Sequence, residues 1–124
     1  MTLIIHNAWK LDFNLSLSSF ESNIRATRNL IDFALAGPYS STIRFLFTSS
    51  VASAQSWNQE KGLYPEEVVT DAGVAVGGGY GEGKYVAERV CLYSCASRDV
   101  IPNRHDEAPR QERVASVFPQ DRSD

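Results

Sequence analysis

Ile43-Arg44-Phe45-Leu46-Phe47-Thr48-Ser49-Ser50 is the stretch on which the fold turns. Its first five residues are apolar and β-favouring, interrupted only by Arg44, and the run then breaks into three hydroxyl residues. Upstream, Ser18 and Glu21 have the spacing of a capping box, which predicts a helix start. Phe20, Ile24, Thr27, Ile31 and Leu35 follow at helical spacing, and Leu30 and Ala34 widen the stripe. Gly37-Pro38 predicts its end, a C-terminal glycine followed by a helix breaker. Further upstream, Leu3-Ile4-Ile5 is a short apolar run of the kind found in buried parallel strands. Strand, helix and strand with short connections make a βαβ unit, with parallel strands and a right-handed crossover. The fold class is therefore α/β, a partial Rossmann-type fold.

Downstream, Thr48 to about Gly79 reads mostly as loop, rich in Ser, Gly and acidic residues. A second helix is predicted from near Tyr80 to Ala96, with Val86, Val90 and Tyr93 on one flank and Ala87 and Cys91 on another. After Ser97 the composition changes. Arg98 to Asp124 carries 11 charged residues and scattered apolar ones, too little apolar surface to offset the entropy of ordering. The expected organisation is a folded domain over 1–97 and a disordered polar tail over 98–124.

Whole-chain properties narrow the function. A length of 124 residues allows one domain, and 43% hydrophobic with 22% charged residues is ordinary for a globular protein. A net charge of −3 gives no basic excess to attract nucleic acid or an anionic membrane. No apolar run is long enough to cross a bilayer, and the N-terminus lacks the cationic start of a signal peptide. A cytoplasmic location is expected. Cys91 and Cys95, four apart, read as two buried thiols in a reducing compartment. His6 and His105 lie far from them in sequence, so no metal site is expected.

Two groups could carry chemistry. In Tyr80-Gly81-Glu82-Gly83-Lys84 the phenol and the ammonium are four apart, so a helix sets them side by side. A nearby cation favours phenolate and lowers a pKa that is otherwise near ~10, which makes Tyr80 a usable acid or base. The plain alternative is two side chains on a solvated helix face. Thr48-Ser49-Ser50 follows a strand, and strand carboxyl ends are where open α/β sheets place ligands. A hydroxyl there can steady a carbonyl oxygen as it gains charge. Simple turn chemistry is the plain alternative here. The order βαβ unit, hydroxyl cluster and Tyr-Lys helix is more specific than any of its parts.

These residues resemble the reductase domain of fungal adenylating reductases related to nonribosomal peptide synthetases. That domain is a thioester reductase, or male-sterility-type NAD-binding domain, of the extended short-chain dehydrogenases. The resemblance rests on Ile4 to Trp9, on Asn23 through Asn29-Leu30-Ile31, on Phe45 to Ser50, and on Gly79 to Arg89, and covers residues 3 to about 97. It implies reduction of an acyl thioester, bound to an acyl carrier domain, by NADPH to an aldehyde or alcohol. Tyr80 would be the proton donor to the carbonyl oxygen. Lys84 would lower its pKa and hold the nicotinamide ribose. Ser50 would steady the same oxygen, Asn23 would support a proton-relay water, and Asn7-Ala8 would form the turn beside the cofactor.

The chain departs from the family pattern in three ways. No glycine-rich strand–turn–helix for the cofactor pyrophosphate occurs in it, and Gly77-Gly78-Gly79 lacks both the spacing and the preceding strand. Gly83 stands where relatives usually carry serine, and a glycine inside a helix costs about 1 kcal/mol relative to alanine. The family also continues past this helix into another strand and a substrate region, where this chain has its polar tail. The expectation is a reductase fragment truncated at both ends and inactive alone. Two other readings stay open: a nucleotide-sugar epimerase or dehydratase of the same superfamily, and a non-catalytic remnant or binding module.

Overall fold

The computed structural model describes residues 3–38, 40–65 and 69–96. Strands β1 (Leu3–His6) and β2 (Arg44–Phe47) are parallel neighbours, with Leu3 opposite Arg44 and His6 opposite Phe47. Helix α1 (Glu21–Ala36) connects them, and α2 (Gly79–Ala96) packs against α1. Two helices and a short parallel sheet are consistent with part of a Rossmann-like domain. The predicted tail, 98–124, and its boundary at 97 lie outside the described residues.

The helical stripe of α1 faces inward: Phe20, Thr27, Ile31 and Ala34 are buried, while Ile24, Leu30 and Leu35 are half-buried. Its end falls at Gly37-Pro38 as expected, while its start and the conformation of Gly37 differ from expectation. The capping box does not form. The chain enters through a 3-10 turn over Leu17–Phe20, and the residue at the cap is Phe20, with no side-chain bond. Ser18 Oγ pairs with Ser16 Oγ at 2.9 Å, and Glu21 accepts from Arg25 Nε at 2.9 Å. The 3-10 turn has taken over entry to the helix, and it leaves the Glu21 carboxylate in the first turn, where the helix dipole favours it. At the other end Gly37 is extended, with φ −77° and ψ 160°, rather than left-handed. The residue before a proline is pushed to extended backbone, so Pro38 is what stops α1.

The first strand is less buried than its apolar run suggested. Ile5 is 63% exposed and Leu3 is also exposed, while His6 is buried. Strand side chains alternate, and helices cover one face of the sheet among the described residues. Ile4, His6, Phe45 and Phe47 take that face. The core beneath it joins Ile31, Phe47, Ala87 and Cys91, with Trp9, Leu35, Phe45 and Val90 packed around them. Cys91 is thus a buried thiol as expected, while the side chain of Cys95 lies outside the described residues.

The stretch read as loop is more structured than its composition implied. It holds 3-10 turns at Val51–Ala54, Gln59–Lys61 and Ala72–Ala75. Val74, Ala75 and Tyr85 form a second small core with Trp57, Tyr64 and Val69. A side-chain bond and a backbone bond tie its two halves together: Gln55 Nε2 donates to Ala75 O at 2.6 Å, and Ser56 N donates to Val74 O at 2.8 Å.

The first turn of α2 is wedged between two backbones. A Cβ on Gly79 would overlap the Leu15 carbonyl oxygen, and one on Gly81 would overlap the Ala52 carbonyl oxygen. Only glycine lets both segments lie that close to the helix. This contact brings the start of α2, which carries Tyr80, against the turn that follows β2.

Candidate active site

Both strands end at the same edge, because His6 pairs with Phe47 and Thr48 N donates to His6 O at 3.1 Å. Asn7 and Ala8, exposed, leave β1 there, and Thr48 to Ser50 leave β2 beside them. Tyr80 and Lys84 come to this edge from α2.

Lys84 is 3% exposed, and its Nζ donates to the Thr48 carbonyl at 2.7 Å. The ammonium lies 4.6 Å from the Trp9 ring centre, 4.8 Å from that of Phe47 and 6.0 Å from that of Tyr80. These aromatic faces attract a cation, but they do not replace its lost hydration. Burial therefore lowers the Lys84 pKa from 10.5 to about 8, against the opposing pull of the Glu88 carboxylate.

Tyr80 is 9% exposed, and its ring sits between two phenylalanines. Phe13 approaches at 4.7 Å and Phe20 meets it edge-on at 6.0 Å. Among the described residues no hydrogen bond engages its phenol, so the hydroxyl is not committed to the fold. Gly83 lies behind this cluster. A Cβ there would come within 3.1 Å of Phe20 and 3.4 Å of Trp9, so glycine lets both rings rest on α2.

Ser50 caps the 3-10 turn over Val51–Ala54, its Oγ accepting from Ala52 N at 3.2 Å. As an acceptor it keeps its own proton to donate. Asn23 is half-buried on α1, and its backbone carbonyl accepts from Thr27 Oγ1 at 3.0 Å. Among the described residues no hydrogen bond joins the Asn23 amide to Tyr80 or Lys84. The strand edge therefore gathers Asn7, Ala8, Ser50 and Lys84, with Tyr80 6.0 Å from the Lys84 ammonium, while Asn23 stands apart from the bonded group.

Sequence reasoning missed several members of this cluster. His6 is buried, and its Nε2 lies 2.9 Å from Thr27 Oγ1. Burial and the nearby Lys84 charge lower its pKa. Glu88 accepts a hydrogen bond from Ser49 Oγ. Its place four residues after Lys84 was a usable signal. Trp9 carries the cation contact, and its Nε1 is a buried donor with no acceptor among the described residues. Nothing in the sequence marks that ring beyond its position after the β1 turn.

The donor set fits the nicotinamide-ribose end of a dinucleotide. Lys84 spends one of three protons on Thr48, and its ammonium lies over the Trp9 ring, whose indole N–H is orphaned. The described residues show no corresponding cradle for the phosphates, and none holds three or more side chains grouped as metal ligands. A separate groove of about 500 Å³ lies between α1 and α2, lined by Leu17, Ile24, Arg25, Arg28, Val86 and Val90 among others. None of the strand-edge residues lines it. Among the described residues no helix is long and apolar enough to cross a membrane.

Comparison with known proteins covers most of the chain. The family model described as "Male sterility protein", an NAD-binding domain, matches residues 1–102. Two adenylate-forming reductases of Serpula lacrymans are 63% and 59% identical over 91 and 94 residues, which is 73% and 76% of this chain. A carboxylic acid reductase of Neurospora crassa is 36% identical over 87 residues, 70% of this chain. The matched region spans only 8%, 9% and 8% of those three relatives.

Proposed function

Since the chain belongs to the male sterility protein family of NAD-binding domains, we propose that it supplies the catalytic edge of an NADPH-dependent reductase acting on a carrier-bound acyl thioester. The observation that carries this reading is the Lys84–Thr48 bond, which fixes the ammonium two residues before Ser50 and 6.0 Å from the Tyr80 ring. The names of the Serpula and Neurospora relatives, adenylate-forming reductase and carboxylic acid reductase, agree with it.

The bound cofactor supplies a hydride equivalent to the carbonyl carbon. The protein's residues manage the oxygen. As negative charge develops there, Ser50 donates its hydroxyl proton in a hydrogen bond, and Tyr80 transfers its phenolic proton to the same atom. Lys84 makes that transfer easier, because a fixed cation near a phenol favours the phenolate left behind. Its remaining N–H groups and the indole N–H of Trp9 would hold the ribose, with the Asn7-Ala8 turn alongside. Asn23 would anchor the water that returns a proton to Tyr80. The hemithioacetal so formed expels the carrier thiol and leaves an aldehyde.

The test fuses residues 1–97 in place of the matching segment of a full-length adenylate-forming reductase. Tyr80→Phe should remove most turnover and leave NADPH binding nearly intact. Lys84→Met should damage both. Ser50→Ala should lose less than Tyr80→Phe, since one hydrogen-bond donor of this kind is worth roughly 10²–10³ in rate. Near-full activity of Tyr80→Phe, in a chimera whose far-UV dichroism is unchanged, would refute the mechanism and favour a non-catalytic domain.

A further inference from the structure

We propose that Glu88 is a positioning residue: with Lys84 it clamps the end of β2 onto α2, holding the backbone that carries Ser50 and keeping Lys84 in its charged form. This rests on the reductase reading above. Lys84 and Glu88 are one helical turn apart, on the same side of α2. From successive turns they grip successive residues. Lys84 Nζ donates to the Thr48 carbonyl at 2.7 Å, and Ser49 Oγ donates to Glu88 Oε1. A hydroxyl bond to a carboxylate is charge-assisted and stronger than a neutral one. Ser50 comes next, and its Oγ is held from the far side by Ala52 N at 3.2 Å. The backbone is thus fixed immediately before and after the residue that must present its proton.

The carboxylate has a second effect, on charge. Burial disfavours a charged Lys84, and Glu88 is the charged neighbour that opposes this. The other ionisable groups acting here are His6 from β1, Tyr80 on α2 beside Lys84, and Tyr64 and Arg89 near Glu88. His6, whose pKa burial lowers, stays neutral at neutral pH and does not substitute for the Glu88 charge. A carboxylate that merely braced the helix surface would affect stability alone.

Two measurements separate these roles. The chain has three lysines, Lys10, Lys61 and Lys84, so carbon-detected NMR of the full 124-residue protein can follow each side chain against pH. Lys84 should titrate near 8, and the Glu88 carboxyl carbon should show a reciprocal inflection at the same pH. In Glu88→Gln the Lys84 midpoint should fall, and in Glu88→Asp it should largely return. A Glu88 signal with no inflection there overturns the proposal without any variant having to fold. In the chimera, Glu88→Gln should move the alkaline limb of kcat/KM to lower pH. Ser49→Ala, which keeps the charge but cuts the tether, should lower kcat by several fold with the limb unmoved. If Tyr80→Phe is inactive while Glu88→Gln leaves the pH profile unchanged, the clamp is wrong and the reductase reading stands. If Tyr80→Phe is active, the reductase reading itself has failed.

Discussion

Thr27 has one hydroxyl proton, and it goes to the Asn23 carbonyl at 3.0 Å. The hydrogen in the 2.9 Å contact with His6 must therefore sit on Nε2, which fixes the tautomer of a buried imidazole. Thr27→Val keeps the shape and strands that N–H, a loss of about 1–3 kcal/mol for an unsatisfied buried donor, read as a lower urea midpoint. Titration adds a direction. Below pH 6.5 the unfolded chain protonates His6 while the folded chain resists, so the unfolded state binds more protons and acid destabilises. Between about 8 and 10.5 the same inequality holds for Lys84, protonated when unfolded and neutral when folded, so stability rises with pH through that window. Urea midpoints should increase in the order pH 5.5, 7.5, 10. Lys84→Met should abolish the upper rise and leave the lower one, whereas an unchanged upper rise would place its origin in another group.

Elements differ in how much of themselves they declared. The stripe from Phe20 to Leu35 was legible because a 3.6-residue period needs only apolar spacing to be seen, and the strand β2 because its run is bounded by hydroxyls. The start of α1 was not, since a 3-10 turn over Leu17–Phe20 supersedes a capping box that local spacing cannot distinguish from it. The segment between β2 and α2 concealed most. Its order comes from Gln55 and Ser56 reaching residues about twenty positions away, and such partners leave no periodic trace. Tyr80, Lys84 and Ser50 could be named from spacing and resemblance, whereas the roles of Trp9 and His6 emerge only from the tertiary contacts of the strand edge, and Glu88 was signalled only by its place four residues after Lys84. Glycines give a direct test of element packing. Gly81→Ala should cost several kcal/mol, beyond the roughly 1–3 of ordinary overpacking, because its Cβ meets backbone rather than a movable side chain. Gly37→Ala meets nothing closer than 3.8 Å, at an ordinary φ. It should be neutral or stabilise by about 0.4–1 kcal/mol through the unfolded state. Paired thermal melts of the two variants check the contrast.

For the whole molecule, the decisive quantity is what these 124 residues hold of a dinucleotide. On the reading proposed above they would offer donors for a ribose at the strand edge, but the sequence has no glycine-rich turn with a row of N–H groups for a pyrophosphate. Titration calorimetry on the chain should therefore show NADPH binding weaker than micromolar, and micromolar affinity would mean that other residues receive the phosphates. The same titration with NADH should give no clear preference, because the residues proposed to hold the ribose include none assigned to a 2′-phosphate. The wedged first turn of α2 bears on how such a site can move. A helix advances about 100° per residue, so a slip of one position would drive a side chain into the backbone at Leu15 or at Ala52, where only Gly79 and Gly81 now fit. The helix behaves as a key in a lock. It can tilt together with both flanking segments, but it cannot spin or slide between them. The backbone of Tyr80 is thus indexed to the strand edge by steric exclusion, and its placement is completed during folding.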